Sequence, residues 1–220
     1  MKFSKLGAVA VLSMIGVYIR AIYFTPIDAL QGAAQKIFYI HVSSGFVGLY
    51  FAFGLVFITS VLYLWLRDPK LDRVASSSAE VGLVFTSVVL ITGPLWGKPA
   101  WGTYWTWDAK LTLTLFLWFI YVGYIILRGA IDDVEMRARF SAVLGILGAL
   151  LVPFIHLSVY FFRTLHPMPV LLKPSAPSLS REMLITISAS LCAFTLMYVW
   201  LLRERYLLAV DRDAAMEGNS

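Results

Sequence analysis

IFYIHVSSGFVGLYFAFGLVFITSVLYLWL, residues 37–66, runs for 30 positions without one Asp, Glu, Lys or Arg. A helix needs about 20 mostly apolar residues to cross the ~30 Å of hydrocarbon in a bilayer, so this stretch reads as a membrane span long enough to tilt or to project beyond the lipid. The chain around it has the same character. Of its 220 residues, 60% are hydrophobic and 14% charged, and the mean hydropathy is +0.78. Soluble domains use about 45–50% apolar residues, so an ordinary soluble globule is excluded. A disordered chain and a nucleic-acid module are excluded as well, because the net charge of +5 is spread along the sequence instead of gathered in a basic stripe.

Five more apolar runs accompany the first, giving spans at about 6–24, 37–66, 77–93, 111–127, 140–161 and 183–202. The predicted fold is an all-α integral membrane protein, one six-span domain over 1–220, with both termini on one side. That side carries eleven Lys and Arg (Lys2, Lys5, Arg67, Lys70, Arg73, Arg128, Arg137, Arg139, Arg203, Arg205, Arg212). The other carries seven (Arg20, Lys36, Lys98, Lys110, Arg163, Lys173, Arg181). The excess on short loops makes the termini cytoplasmic, and Trp65 and Trp200 fit an aromatic belt on that side. The basic start at Met1–Lys5 and the apolar run after it lack an Ala-x-Ala site, so the first run is expected to stay as an anchor. Cys192 lies alone inside the last run and reads as packing. Glu80, near the inner end of its span, is expected to pair or snorkel. The tail 203–220 reads as a charged, solvated, partly disordered end.

The opposite side receives 25–36, 94–110 and 162–182. Burying Lys98, Asp108 and Lys110 at the bilayer centre would cost on the order of 8–10 kcal/mol, so 94–110 lies outside the membrane. All three histidines, His41, His156 and His166, fall on this side. His41 and His156 come from different spans at matching depth, which lets two imidazoles bind an iron centre from the two faces of a flat macrocycle. The plainer alternative is that each bonds a headgroup or a neighbouring carbonyl. Pro153 removes a helix donor and is expected to kink the fifth span near His156.

WGKPAWGTYWTWDAK, residues 96–110, holds four of the seven tryptophans. An aromatic belt is the plain reading, yet it leaves the interleaved Gly and Pro unexplained. Pro94, Gly97, Pro99 and Gly102 predict irregular backbone, and glycine admits a flat ligand close to the chain. With helix resuming near Trp101, the side chains of Trp101, Trp105 and Asp108 share one face. Trp96, Trp105, Trp107 and Tyr104 add wide aromatic surface suited to a porphyrin. Lys98, Lys110 and Arg163 are candidates for neutralising its carboxylates.

The stretch 96–112, WGKPAWGTYWTWDAKLT, resembles the tryptophan-rich signature of the haem-handling proteins of cytochrome c maturation. With YIHVS around His41 and PFIHLSVYFFRTLHP at 153–167, the chain is similar over nearly its whole length to the CcmC family within that superfamily. The resemblance implies a bacterial inner-membrane protein that binds haem b at its periplasmic face, with His41 and His156 as axial ligands and the tryptophan-rich segment supporting the macrocycle. The site it implies comprises His41, His156, Trp96, Gly97, Trp101, Gly102, Tyr104, Trp105, Trp107, Asp108, Arg163 and His166. It further implies delivery of haem to the chaperone CcmE, in a complex with the ABC subunits CcmA and CcmB and the small protein CcmD. The absence of a Walker A motif agrees with ATP hydrolysis in a partner, and the absence of Cys-x-x-Cys-His with haem held non-covalently. Tyr104 departs from the family pattern, which often has Trp there. A haem lyase acting directly on apocytochrome c, a cytochrome b-type electron carrier and a scaffold without haem are the competing functions; no inner-side histidine serves the second, and the third leaves the tryptophans unexplained.

Overall fold

The structure is a computed structural model that describes residues 4–169 and 179–217; Lys2, Lys173 and the end of the tail lie outside them. The described residues are helical, with six helices long and apolar enough to cross a membrane. Helix α1 (Lys5–Tyr23) is the first. The second combines a 3-10 turn (Ala33–Lys36), α2 (Ile37–Phe46), a π-helical segment (Val47–Ala52) and α3 (Phe53–Leu66). Helices α4 (Pro69–Trp101) and α5 (Ala109–Ala130) follow. The fifth span is α6 (Val134–Ala149) with α7 (Leu151–Phe161), and α8 (Arg181–Glu217) is the last.

Helix α4 is the axis of the bundle, packing against spans two, four, five and six. Its buried face is made of small side chains, among them Ala75, Ser76, Ser77, Ser78, Ala79 and Gly82. Such a face lets helices approach where lipid supplies no hydrophobic drive for association. At Gly82 the approach is limiting: a Cβ there would stand 2.9 Å from the Cβ of Ala52 and 2.7 Å from the ring of Phe53. Polar contacts fix the register. The Ser78 hydroxyl donates to the Ala52 carbonyl at the end of the π segment, 2.8 Å, and lies 2.8 Å from the Tyr198 hydroxyl on α8. The Trp118 indole donates to Ser87, joining α5 to α4.

Several expectations are corrected. Helix α4 does not stop near residue 93 but continues through Pro94 and Pro99 to Trp101. Interrupting it would open a run of backbone groups near lipid, whereas each proline removes one bond, and neighbouring helices stabilise such residues in membranes. Helix does not resume near Trp101, because Gly102 caps α4 in the left-handed region (φ 78°) and α5 begins only at Ala109. Trp101, Trp105 and Asp108 therefore share no helical face. The tail is helical as far as Glu217, since Arg205 pairs with Glu80, and Arg73 with Asp213 at 3.0 Å, both across to α4. Cys192 is exposed on the outside of the bundle instead of packed within it. The fifth span does break, at Leu150, three residues before Pro153.

At the terminal end of the bundle, Arg128 of α5 and Asp72 of α4 form a bidentate pair at 2.6 and 2.8 Å, largely out of solvent, with the Tyr124 ring 5.8 Å from the guanidinium carbon. Removing one partner strands the other charge, so Asp72→Ala is expected to cost about 3–5 kcal/mol, and Asp72→Ala with Arg128→Met much less. Thermal unfolding in detergent checks both, and equal losses in the single and double variants would contradict the account. Gly82→Ala is expected to destabilise by about 1–3 kcal/mol through overpacking, read by the same measurement.

Candidate functional site

The far end of the bundle gathers the histidines and the tryptophans. His41 sits in the second turn of α2 with its ring against α4, where Gly93 admits it: a Cβ at Gly93 would lie 3.2 Å from the His41 Cε1. The Trp96 ring stands 5.7 Å from the His41 ring at 68°, and its indole donates to Gln31 at 2.8 Å, pinning it to the segment before α2. After Phe161 the chain leaves α7 and runs back as an irregular strap that carries Arg163 and His166. The His166 N–H donates to Thr164 Oγ1 at 3.0 Å, a local turn that aims the ring inward. That ring lies 6.5 Å from the His41 ring at 36°, and 6.2 Å from Trp101, the last residue of α4.

The fold thus places His166, and not His156, beside His41. The ring neighbours of His156 are Tyr50, at 6.1 Å, and Tyr160, at 6.3 Å.

Hydrogen bonding sets the tautomers. Thr92 Oγ1 spends its proton on the Val88 carbonyl at 2.6 Å, so at 3.0 Å from His41 Nδ1 it can only accept. His41 therefore carries its proton on Nδ1, and Nε2 keeps its lone pair. His166 Nδ1 lies 3.0 Å from the Pro167 carbonyl, which also only accepts, with the same result. This is the form of a metal-ligating imidazole, whose second nitrogen donates to a fixed acceptor. His156 differs in its partner: its Nδ1 lies 2.6 Å from the Tyr50 hydroxyl, a group that can either donate or accept. Burial, and after it the Lys110 ammonium, push His166 down to about 3, so its ring is neutral throughout the physiological range.

The remaining predicted residues divide by task. Asp108 is the N-cap of α5, accepting from the Leu111 N–H at 3.0 Å and from Thr106 Oγ1 at 3.1 Å. Gly102 takes the positive φ that ends α4, and its carbonyl accepts from Lys98 Nζ at 2.9 Å. Lys98 also lies 5.4 Å over the Tyr104 ring, so this cation is already engaged in closing its own helix. Gly97 leaves room for the Trp101 ring and the Thr103 carbonyl, both within 3.3 Å of where its Cβ would be. Trp105 and Trp107 meet edge to face at 5.7 Å. Trp107 is 76% exposed and Tyr104 58%, so these rings form an outer rim and not a buried platform. Arg163 is exposed on the strap.

Lys110, in the first turn of α5, lies within electrostatic reach of all three histidines. Close to it in sequence, the Trp105 indole N–H and the Thr112 hydroxyl are buried without a protein partner. Among the described residues no three His, Cys, Asp or Glu side chains converge as a metal cluster. What the arrangement offers is two facing imidazoles, flanking indoles and nearby donors. Thr92, Gly93, Gln31 and Tyr50 are parts of this site that sequence reasoning missed. Of these, only Gly93 figured in the sequence reading, as the end of the third span.

The comparisons with known proteins agree in extent. The family model described as heme exporter protein C, CcmC, matches residues 2–217. The heme exporter protein C of Bradyrhizobium diazoefficiens is 40% identical over 195 residues, covering 89% of this chain and 73% of the relative. That of Haemophilus influenzae is 33% identical over 217 residues, covering 97% and 87%. That of Escherichia coli is 38% identical over 146 residues, covering 65% and 58%. With the match running through both histidine-bearing segments and the tryptophan-rich turn between α4 and α5, the chain belongs to the CcmC family of heme exporter proteins.

Proposed function

We propose that the chain takes up haem b at the periplasmic face of a bacterial inner membrane and holds it for transfer to the haem chaperone CcmE during cytochrome c maturation. Its assembly partners in this reading are CcmA, CcmB and CcmD. The observation that carries the proposal is the pair His41 and His166. Metal–imidazole bonds of about 2 Å on each side put two axial ring centroids roughly 6–6.5 Å apart, and these rings stand 6.5 Å apart with both Nε2 lone pairs free. In this reading His41 and His166 take the place of the pair His41 and His156 that matching helix depth and the family resemblance had suggested.

Trp96 and Trp101 flank the two imidazoles and supply apolar walls for the macrocycle. Lys110 and the unpartnered Trp105 indole are the donors for its carboxylates. The exposed Tyr104, Trp107, Phe162, Leu165 and Met168 give the rim an apolar surface for a protein that comes to collect the cargo. A histidine on a strap lets iron ligation be undone from one side, as transfer requires.

His41→Ala and His166→Ala are expected to abolish the six-coordinate low-spin haem spectrum and the loading of CcmE, and millimolar imidazole to restore the spectrum in each. Retention of the wild-type spectrum by His166→Ala would refute the pair, and transfer of labelled haem to an apocytochrome without CcmE would favour a lyase. Lys110→Met is expected to speed haem loss about tenfold and to leave the dimethyl ester of haem unaffected, as measured by transfer to apomyoglobin. Equal acceleration for haem and its ester would remove Lys110 from the carboxylate site.

A further inference from the structure

We infer that His156 is a positioning residue which, through its hydrogen bond to Tyr50, fixes the strap that carries His166. The inference rests on the assignment of His41 and His166 as the iron ligands. It starts from the break in the fifth span. Pro153 has no N–H, so the carbonyl of Ala149, four residues earlier, loses its helical donor, and the helix is interrupted at Leu150. Helix α7 that follows is only 11 residues long and leads directly into the strap. Leu150 keeps helical backbone angles (φ −63°, ψ −18°), so what is lost here is part of the hydrogen-bond ladder, and the second half of the span is tied less stiffly to the first. A separate contact steadies its direction.

The Tyr50–His156 bond, at 2.6 Å, is such a contact, tying the middle of α7 to the second span. Tyr50 stands in the π-helical segment Val47–Ala52, where the widened turn changes the direction of side chains relative to a regular helix. Its ring is held against Phe46 at 5.2 Å, and the His156 ring meets it edge to face at 72°. The two local irregularities of the bundle, the π segment and the break at Leu150, are therefore joined by one hydrogen bond. His41 lies on the same continuous helical span as Tyr50, six residues before the π segment. The bond thus sets the origin of the strap relative to the helix that presents the other ligand.

The test compares the purified full chain carrying haem in wild type, Tyr50→Phe, His156→Ala, His156→Asn and His166→Ala. The asparagine amide oxygen stands near the position of the imidazole Nδ1 and keeps an acceptor for Tyr50. Tyr50→Phe and His156→Ala are each expected to accelerate haem loss to apomyoglobin roughly 10-fold, with the double variant no worse than either. The haem that remains is expected to keep the bis-imidazole low-spin electron paramagnetic resonance signature, and His156→Asn to restore the wild-type rate. Circular dichroism and the thermal midpoint separate these effects from misfolding, and Tyr50→Phe retains the packed ring. A Tyr50→Phe rate equal to wild type, alongside loss of ligation in His166→Ala, overturns this inference alone. Loss of bis-imidazole ligation in His156→Asn with its retention in His166→Ala overturns the ligand pair as well and makes His156 the axial group.

Discussion

In hydrocarbon there is no water to satisfy an open backbone group, so a membrane chain departs from regular helix only where something else completes its hydrogen bonds. That constraint shapes this fold. The described part of the bundle has two irregularities inside its spans, the π segment at Val47–Ala52 and the break at Leu150, and each is supported by side chains from neighbouring helices. Ser78 donates to the Ala52 carbonyl where the π segment ends, and the Tyr121 hydroxyl donates to the Gly145 carbonyl, 3.0 Å away, one turn before the carbonyl of Ala149 that Pro153 leaves without its helical donor. Both irregularities lie in the two spans that lead to the histidine end. The same economy explains why α4 runs through two prolines: ending the helix earlier would open more groups than the prolines do.

The central position of α4 links the packing to the site. Its small face draws neighbouring spans close along one length, while its far end, beyond Gly93, carries Trp96 and Trp101 out on rigid helix to stand beside His41 and His166. A helix of 33 residues is about 50 Å long, more than the ~30 Å of hydrocarbon, so part of it projects from the membrane as a built platform. Asp108 and Gly102 then define the turn between α4 and α5, one by capping a helix start and the other by ending a helix. They shape the site without contributing surface to it.

The six spans were legible because hydropathy over some 20 residues is a one-dimensional property, which no tertiary contact needs to reveal. The tryptophan-rich segment was legible as composition. The surroundings of His41 were not: matching depth along the membrane normal carries no information on lateral position, and the ring that stands beside His41 is that of His166, on the strap after Phe161. The role of Asp108 was hidden by assuming helix where Gly102 forbids it. The helical tail was missed because Arg205 and Asp213 look like solvated charges until Glu80 and Arg73 on α4 are seen opposite them.

Helix α8 extends about 55 Å at the same rise per residue, and two ion pairs join its terminal third to α4. Charges of that kind, part exposed, weaken as salt is added and can be exchanged for charges on another surface at little net expense. The end of this helix is thus a rod held to α4 at two points by replaceable contacts. Added salt or a competing charge would therefore loosen this end of the helix from α4 before it disturbed the apolar packing of the spans.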